Sequence, residues 1–130
     1  MASTRHLNAL GLLLLATAAC GGYPPPNDRL TASVAAARSA REVGAGTTSD
    51  AVHGDLVRVA AQASLHLKLA DEEITKAKAL MKDGDNERAE YVLIRAKADA
   101  ELALSLAKEV SAKSEAQAAE DQIKALQQNQ

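Results

Sequence analysis

The sequence predicts an all-α protein: an antiparallel helical hairpin of coiled-coil character with a short third helix packed on it, behind a signal peptide and a Pro-rich linker. Three observations carry that expectation. Two long stretches, 56–81 and 89–110, place apolar residues at alternating spacings of four and three, the period of a coiled-coil seam. The 130 residues include 29 alanines but no Phe and no Trp, so much of the 47% hydrophobic content is the strongest helix former rather than large side chains. The only prolines, Pro24, Pro25 and Pro26, are consecutive and mark a linker ahead of the helical part.

Residues 1–19 carry a positive charge at Arg5, an apolar run from Leu7 to Ala19 and small residues at Ala16-Thr17-Ala18-Ala19. A charged start, an apolar segment of ~7–15 residues and a small-residue cleavage site describe a secretory signal peptide. The run is shorter than the ~20 residues that span a bilayer. Cys20, the only cysteine, follows directly and has no internal disulfide partner. A thiol at a cleavage point can carry a lipid, and these residues resemble a bacterial lipoprotein signal, with Thr17 where such signals usually have leucine. The resemblance implies lipid attachment at Cys20 as the first residue of the mature chain, palmitate among the acyl groups. Several buried chains at ~0.8 kcal/mol per methylene hold such a protein on its membrane. Gly21 in place of the aspartate that retains enterobacterial lipoproteins at the inner membrane implies the outer membrane, facing the periplasm.

Residues 20–29 read as the lipidated cysteine and its linker. Three prolines in a row favour polyproline II, a semi-rigid spacer that would hold the folded part ~20–25 Å from the headgroups. The helical domain is expected over 30–127, with helices at about 30–43, 52–82 and 86–126. The first has an apolar row at Leu30, Val34 and Ala37, a cap at Asn27 or Asp28, and an end at Gly44-Ala45-Gly46. Gly54 leaves the start of the second between Asp50 and Asp55.

The second helix carries the seam Leu56, Ala60, Ala63, Leu67, Ala70, Ile74, Ala77 and Met81. Gly84 supplies the left-handed residue that closes it, and Asp85 the cap of the third. The third repeats the row at Ala89, Leu93, Ala96, Ala100, Ala103, Ala107 and Val110. Two such segments joined by so tight a turn must run antiparallel, Ala against Leu, Ile or Met. Glu72–Lys76, Glu109–Lys113 and Glu120–Lys124 stand in the favourable i,i+4 order, worth ~0.2–0.5 kcal/mol each.

After Val110 the seam positions turn polar at Ser114, Gln117 and Asp121, and the apolar row moves to Ala112, Ala116, Ala119, Ile123 and Leu126. Helix three outruns its partner near residue 115, so this stretch overhangs, packs on the first helix or pairs with another molecule. Leu65, Leu69, Ile94, Ala98 and Leu102 lie off the seam, with Leu106 nearby. A bare hairpin leaves them exposed; the expectation is that the first helix covers them with some residual apolar surface left over, the alternative being a partner or homo-oligomer surface.

A net charge of −2 with no clustered basic face points away from nucleic acid. Alanine-faced helices leave little room for the large apolar pocket of a small-molecule substrate. Asp83-Gly84-Asp85-Asn86-Glu87 lacks the glycine and glutamate spacing of a calcium loop and reads as a turn and cap. His53 and His66 are thirteen residues apart, with Glu73 near His66, too few ligands for a metal. Asp71-Glu72-Glu73 reads as a solvated face rather than an acid/base pair, and no glycine-rich phosphate loop is present. The chain is expected to be no enzyme, and to need no metal or other cofactor.

Gly84-Asp85-Asn86-Glu87-Arg88-Ala89 and Arg95-Ala96-Lys97-Ala98-Asp99-Ala100-Glu101-Leu102-Ala103, preceded by His66-Leu67-Lys68-Leu69-Ala70, form a pattern over about Leu30 to Ser111. It resembles the bacterial lipoproteins bearing domain of unknown function 4398. That resemblance implies a secreted or lipid-anchored helical protein and transfers no catalytic residue. The expected function is a structural or adaptor role on the periplasmic side of the envelope, membrane-bound through the N-terminal lipid. Its working surfaces would be the Gly84 turn and the stretch from Ala112, meeting a protein partner or a second copy. The alternative is a homo-oligomeric coiled-coil lipoprotein that spaces outer membrane from peptidoglycan.

Overall fold

The computed structural model describes residues 22–47 and 54–129, and these form three helices: α1 Asn27–Glu42, α2 Asp55–Lys82 and α3 Asn86–Gln128. The signal segment 1–19, Cys20 and the stretch 48–53, with Asp50 and His53, lie outside the described residues. The fold is all-α, an α2–α3 antiparallel hairpin with α1 laid along it.

Helix boundaries depart from the sequence expectation in three places. α1 begins at Asn27, so Asn27, Asp28 and Arg29 belong to the helix rather than to a linker, and Pro26 occupies the cap position without a side-chain cap bond. Proline has a fixed φ that suits a helix start and no N–H to leave unsatisfied there. α2 begins at Asp55 rather than 52, after Gly54 with φ 63°. α3 continues to Gln128, because a helix already nucleated adds alanine-rich and glutamine residues at little cost.

Both α1 and α2 end in the same device. The Gly84 N–H donates to Met81 O and the Asp85 N–H to Leu80 O, with Gly84 at φ 83°. The Gly44 N–H donates to Arg41 O and the Ala45 N–H to Ala40 O, with Gly44 at φ 95°. This is the Schellman pattern, which satisfies carbonyls at a helix end and needs a left-handed residue at its centre. Asp85 stands at the N-cap position of α3 but its side chain makes no cap bond; it accepts instead from Arg88 Nη1 at 3.4 Å.

The core is an alanine seam. Ala63, Ala70, Ala77, Ala89, Ala96, Ala100, Ala103 and Ala107 are buried between α2 and α3, joined by Leu56, Leu67, Ile74, Val92 and Leu93. Met81 and Val110, at the two ends of the expected seam, are only partly buried. α1 adds Ser33, Ala37 and Ala40, all buried, and the Ser33 hydroxyl lies 2.8 Å from Arg29 O and 3.0 Å from Leu93 O. Ion pairs Arg29–Glu90 and Arg41–Asp71 fix α1 at both ends, so it runs parallel to α3 and antiparallel to α2.

α1 does not cover the second apolar row. Ile94 stays 44% exposed, Leu102 43% and Leu65 54%. The small side of α1, Ser33, Ala37 and Ala40, approaches backbone closely only over an alanine floor, and that floor lies on the other side of the hairpin. Ion pairing also differs in detail from the i,i+4 expectation. Glu109–Lys113 forms at 2.6 Å, but Glu72 takes Lys68 and Lys124 takes Asp121. All are exposed pairs of small energetic weight.

Candidate functional site

Two regions stand apart from the core: the segment before α1 and the end of α3. The first is not a free spacer. The Tyr23 hydroxyl donates to Glu90 Oε2, Arg29 Nε donates to Glu90 Oε1 at 3.3 Å, and Asn86 Nδ2 donates to the Tyr23 carbonyl at 2.8 Å. Pro26 is buried behind them. The strap is thus held on the first turns of α3, beside the Gly84 turn. Its hydrogen bond to Glu90 keeps the Tyr23 phenol protonated above its usual range, with desolvation adding to the effect.

This docking reverses the expected geometry of the linker. The sequence places the folded part at the far end of a polyproline spacer; the structure places residue 23 on the bundle itself. It also puts Gly84 and Asp85 at the strap end of the molecule, so the α2–α3 turn is proximal to the N-terminal segment and not distal from it.

The second region is the overhang. α2 begins at Asp55, level with the part of α3 near Val110, and from Glu115 to Asn129 every residue of α3 is exposed. Ile123 and Leu126 are among the most exposed large apolar side chains.

Between these ends, titratable side chains pair across the helices. His66 Nδ1 lies 2.7 Å from Asp99 Oδ1, so His66 meets Asp99 rather than Glu73. Glu73 Oε1 takes Arg95 Nε at 3.2 Å while its Oε2 is buried without a partner. Asp71, Glu72 and Glu73 thus face Arg41, Lys68 and Arg95, three different directions. Among the described residues no three His, Cys, Asp or Glu side chains converge as metal ligands, and no helix is long and apolar enough to cross a membrane.

Among the described residues Glu73 is the one carboxylate held above its ordinary value of 4.5, by desolvation first and the Asp99 charge as well, against the opposing pull of Arg95 and Lys76. A carboxyl raised in the folded state binds its proton more tightly there than in the unfolded chain. Stability therefore falls as pH rises through the window from 4.5 to the raised value, and stays lower above it. Glu73→Gln removes that penalty and sacrifices only the ion pair to Arg95, whose side chain is 62% exposed. The variant should be at least as stable as the parent at neutral pH and lose the advantage in acid below the window. Denaturant unfolding at a series of pH values checks this; a Gln variant weaker at neutral pH would show that the Arg95 pair outweighs desolvation.

No curated protein and no solved structure matches this sequence. Residues 55–120, which comprise α2, the Gly84 turn and α3 into the first part of the overhang, match the family described as Domain of unknown function (DUF4398). The chain belongs to that family.

Proposed function

We propose that this chain is a lipid-anchored helical protein of the cell envelope with a non-catalytic structural or adaptor role, attached through Cys20 to the periplasmic face of the outer membrane. The observation that supports it best is the placement of Cys20 directly after an apolar run and three residues before Tyr23, which Glu90 and Asn86 hold on the bundle. Three residues reach at most ~10 Å. A lipid on Cys20 then keeps the Gly84 end at the headgroups. α3, 43 residues at ~1.5 Å each, carries its free end roughly 60 Å out. In this arrangement the strap sets orientation, and the overhang from Ala112 is the surface presented farthest from the membrane.

Metabolic labelling with a palmitate analogue tests the anchor. Wild type should take up label and sediment with membranes; Cys20→Ala should take up none. Wild-type protein that is unlabelled and recovered wholly in the soluble fraction would remove the anchor and with it the envelope role.

A further inference from the structure

The overhang carries a recognition pattern that the monomer does not use. Ala112, Ala116, Ala119, Ile123 and Leu126 alternate spacings of four and three, and all are exposed, Ile123 at 55% and Leu126 at 68%. At 3.6 residues per turn this row points roughly 150° away from the α3 residues that face α2. Among the described residues nothing covers it. A row of this period is what a second helix with the same period requires.

The charges beside the row identify the occupant. In a parallel pair of two copies, Lys108 would flank the partner's Lys113 and Glu115 would flank the partner's Glu120, like against like on both sides. In an antiparallel pair with Ala116 opposite the partner's Ala119, Ala112 faces the partner's Ile123 and Lys113 flanks the partner's Glu120. The two-fold axis makes each of these contacts twice. Ala112 against the partner's Ile123 repeats the small-against-large pairing that α2 and α3 use in their own seam. Among the described residues Lys113 pairs with Glu109 alone, an exposed i,i+4 pair, and Glu120 is exposed, so both are available.

We propose that the overhang of α3 pairs antiparallel with the same segment of a second copy of this chain. The pairing goes beyond the anchoring proposal and does not depend on it. Sedimentation equilibrium over a concentration series tests it with a chain beginning at residue 22, which contains the whole described bundle and lacks Cys20, so its failure leaves the anchor untouched. The parent should show a monomer–dimer equilibrium, and Ile123→Glu should abolish it with the thermal midpoint of the bundle kept. Lys113→Glu and Glu120→Lys should each weaken association about tenfold, since two attractions become two repulsions. The double exchange, Lys113→Glu with Glu120→Lys, should restore it. A monomer at every concentration, a dimer indifferent to Ile123→Glu, or a double exchange as weak as either single reversal would overturn the proposal.

Discussion

Leu93→Ala should be among the most damaging substitutions in this chain, lowering stability by about 3–4 kcal/mol, within the range for removal of a fully buried leucine. The reason is the composition of the core. Most of the buried apolar residues are alanines, which contribute little transfer energy each, so the few large side chains carry an outsized share. Leu93 is the largest wholly buried side chain, with Ala77, Ala89 and Val92 around it and Leu30, Leu80 and Met81 packed at the margin. Its backbone carbonyl also lies 3.0 Å from the Ser33 hydroxyl, so the site joins all three helices. A cavity there cannot close without moving α1 off the hairpin. For a domain of this size the loss amounts to a fall of roughly 15–25 °C in Tm. Leu65→Ala, at a side chain 54% exposed, should stay within about 0.5 kcal/mol of the parent. Thermal unfolding followed by far-UV circular dichroism separates the two; equal midpoints would mean that Leu93 is not the keystone the packing makes it.

The hairpin was legible because its signal is repetitive. Alternation of four and three over residues 56–81 and 89–110 fixes which face of each helix is buried, and Gly84 fixes where the chain turns. The placement of α1 was not legible. A row of Leu30, Val34 and Ala37 says that the helix buries a face, not which groove receives it. Two exposed leucine-bearing rows looked like the vacant surface, whereas the alanine floor admits a closer approach. The register break after Val110 did locate the overhang, because seam positions that turn polar can only mean that the partner helix has ended.

The strap was invisible for a different reason. Tyr23 meets Glu90 and Asn86 across more than sixty residues of chain, and no local pattern encodes a contact that distant. Three prolines suggested a spacer because an isolated PPP segment is extended; the same stiffness here delivers Tyr23 to one spot on α3 at small entropic cost. His66 shows the limit in miniature. Its own helix offered Glu73 two turns away, but the facing helix supplies Asp99 at 2.7 Å. Contacts along one helix can be read from spacing, and contacts between helices need the register first.

That register has a direct energetic test in Ala100→Leu. Ala100 is wholly buried in the cluster where α1, α2 and α3 meet, together with Leu67, Ala37, Ala40 and Ala103. Three added carbons have no void to enter, and the helices are close because this residue is small. Overpacking of a tight core costs typically 1–3 kcal/mol, and contact with two helices at once puts this site near the upper end, about 3 kcal/mol. The hairpin is antiparallel, and the His66–Asp99 and Glu73–Arg95 contacts on either side of this site bracket a register that sets Leu67 about level with Ala100 across the seam. Leu67→Ala alone should cost about 3 kcal/mol by leaving a cavity. Placed together, the two changes exchange a large and a small side chain at facing positions. The double variant should therefore be more stable than the sum of the single losses predicts, by more than about 1 kcal/mol. Denaturant unfolding of the four proteins gives the coupling. Strict additivity would mean that these side chains do not share a space, and the seam would have to be threaded in a different register.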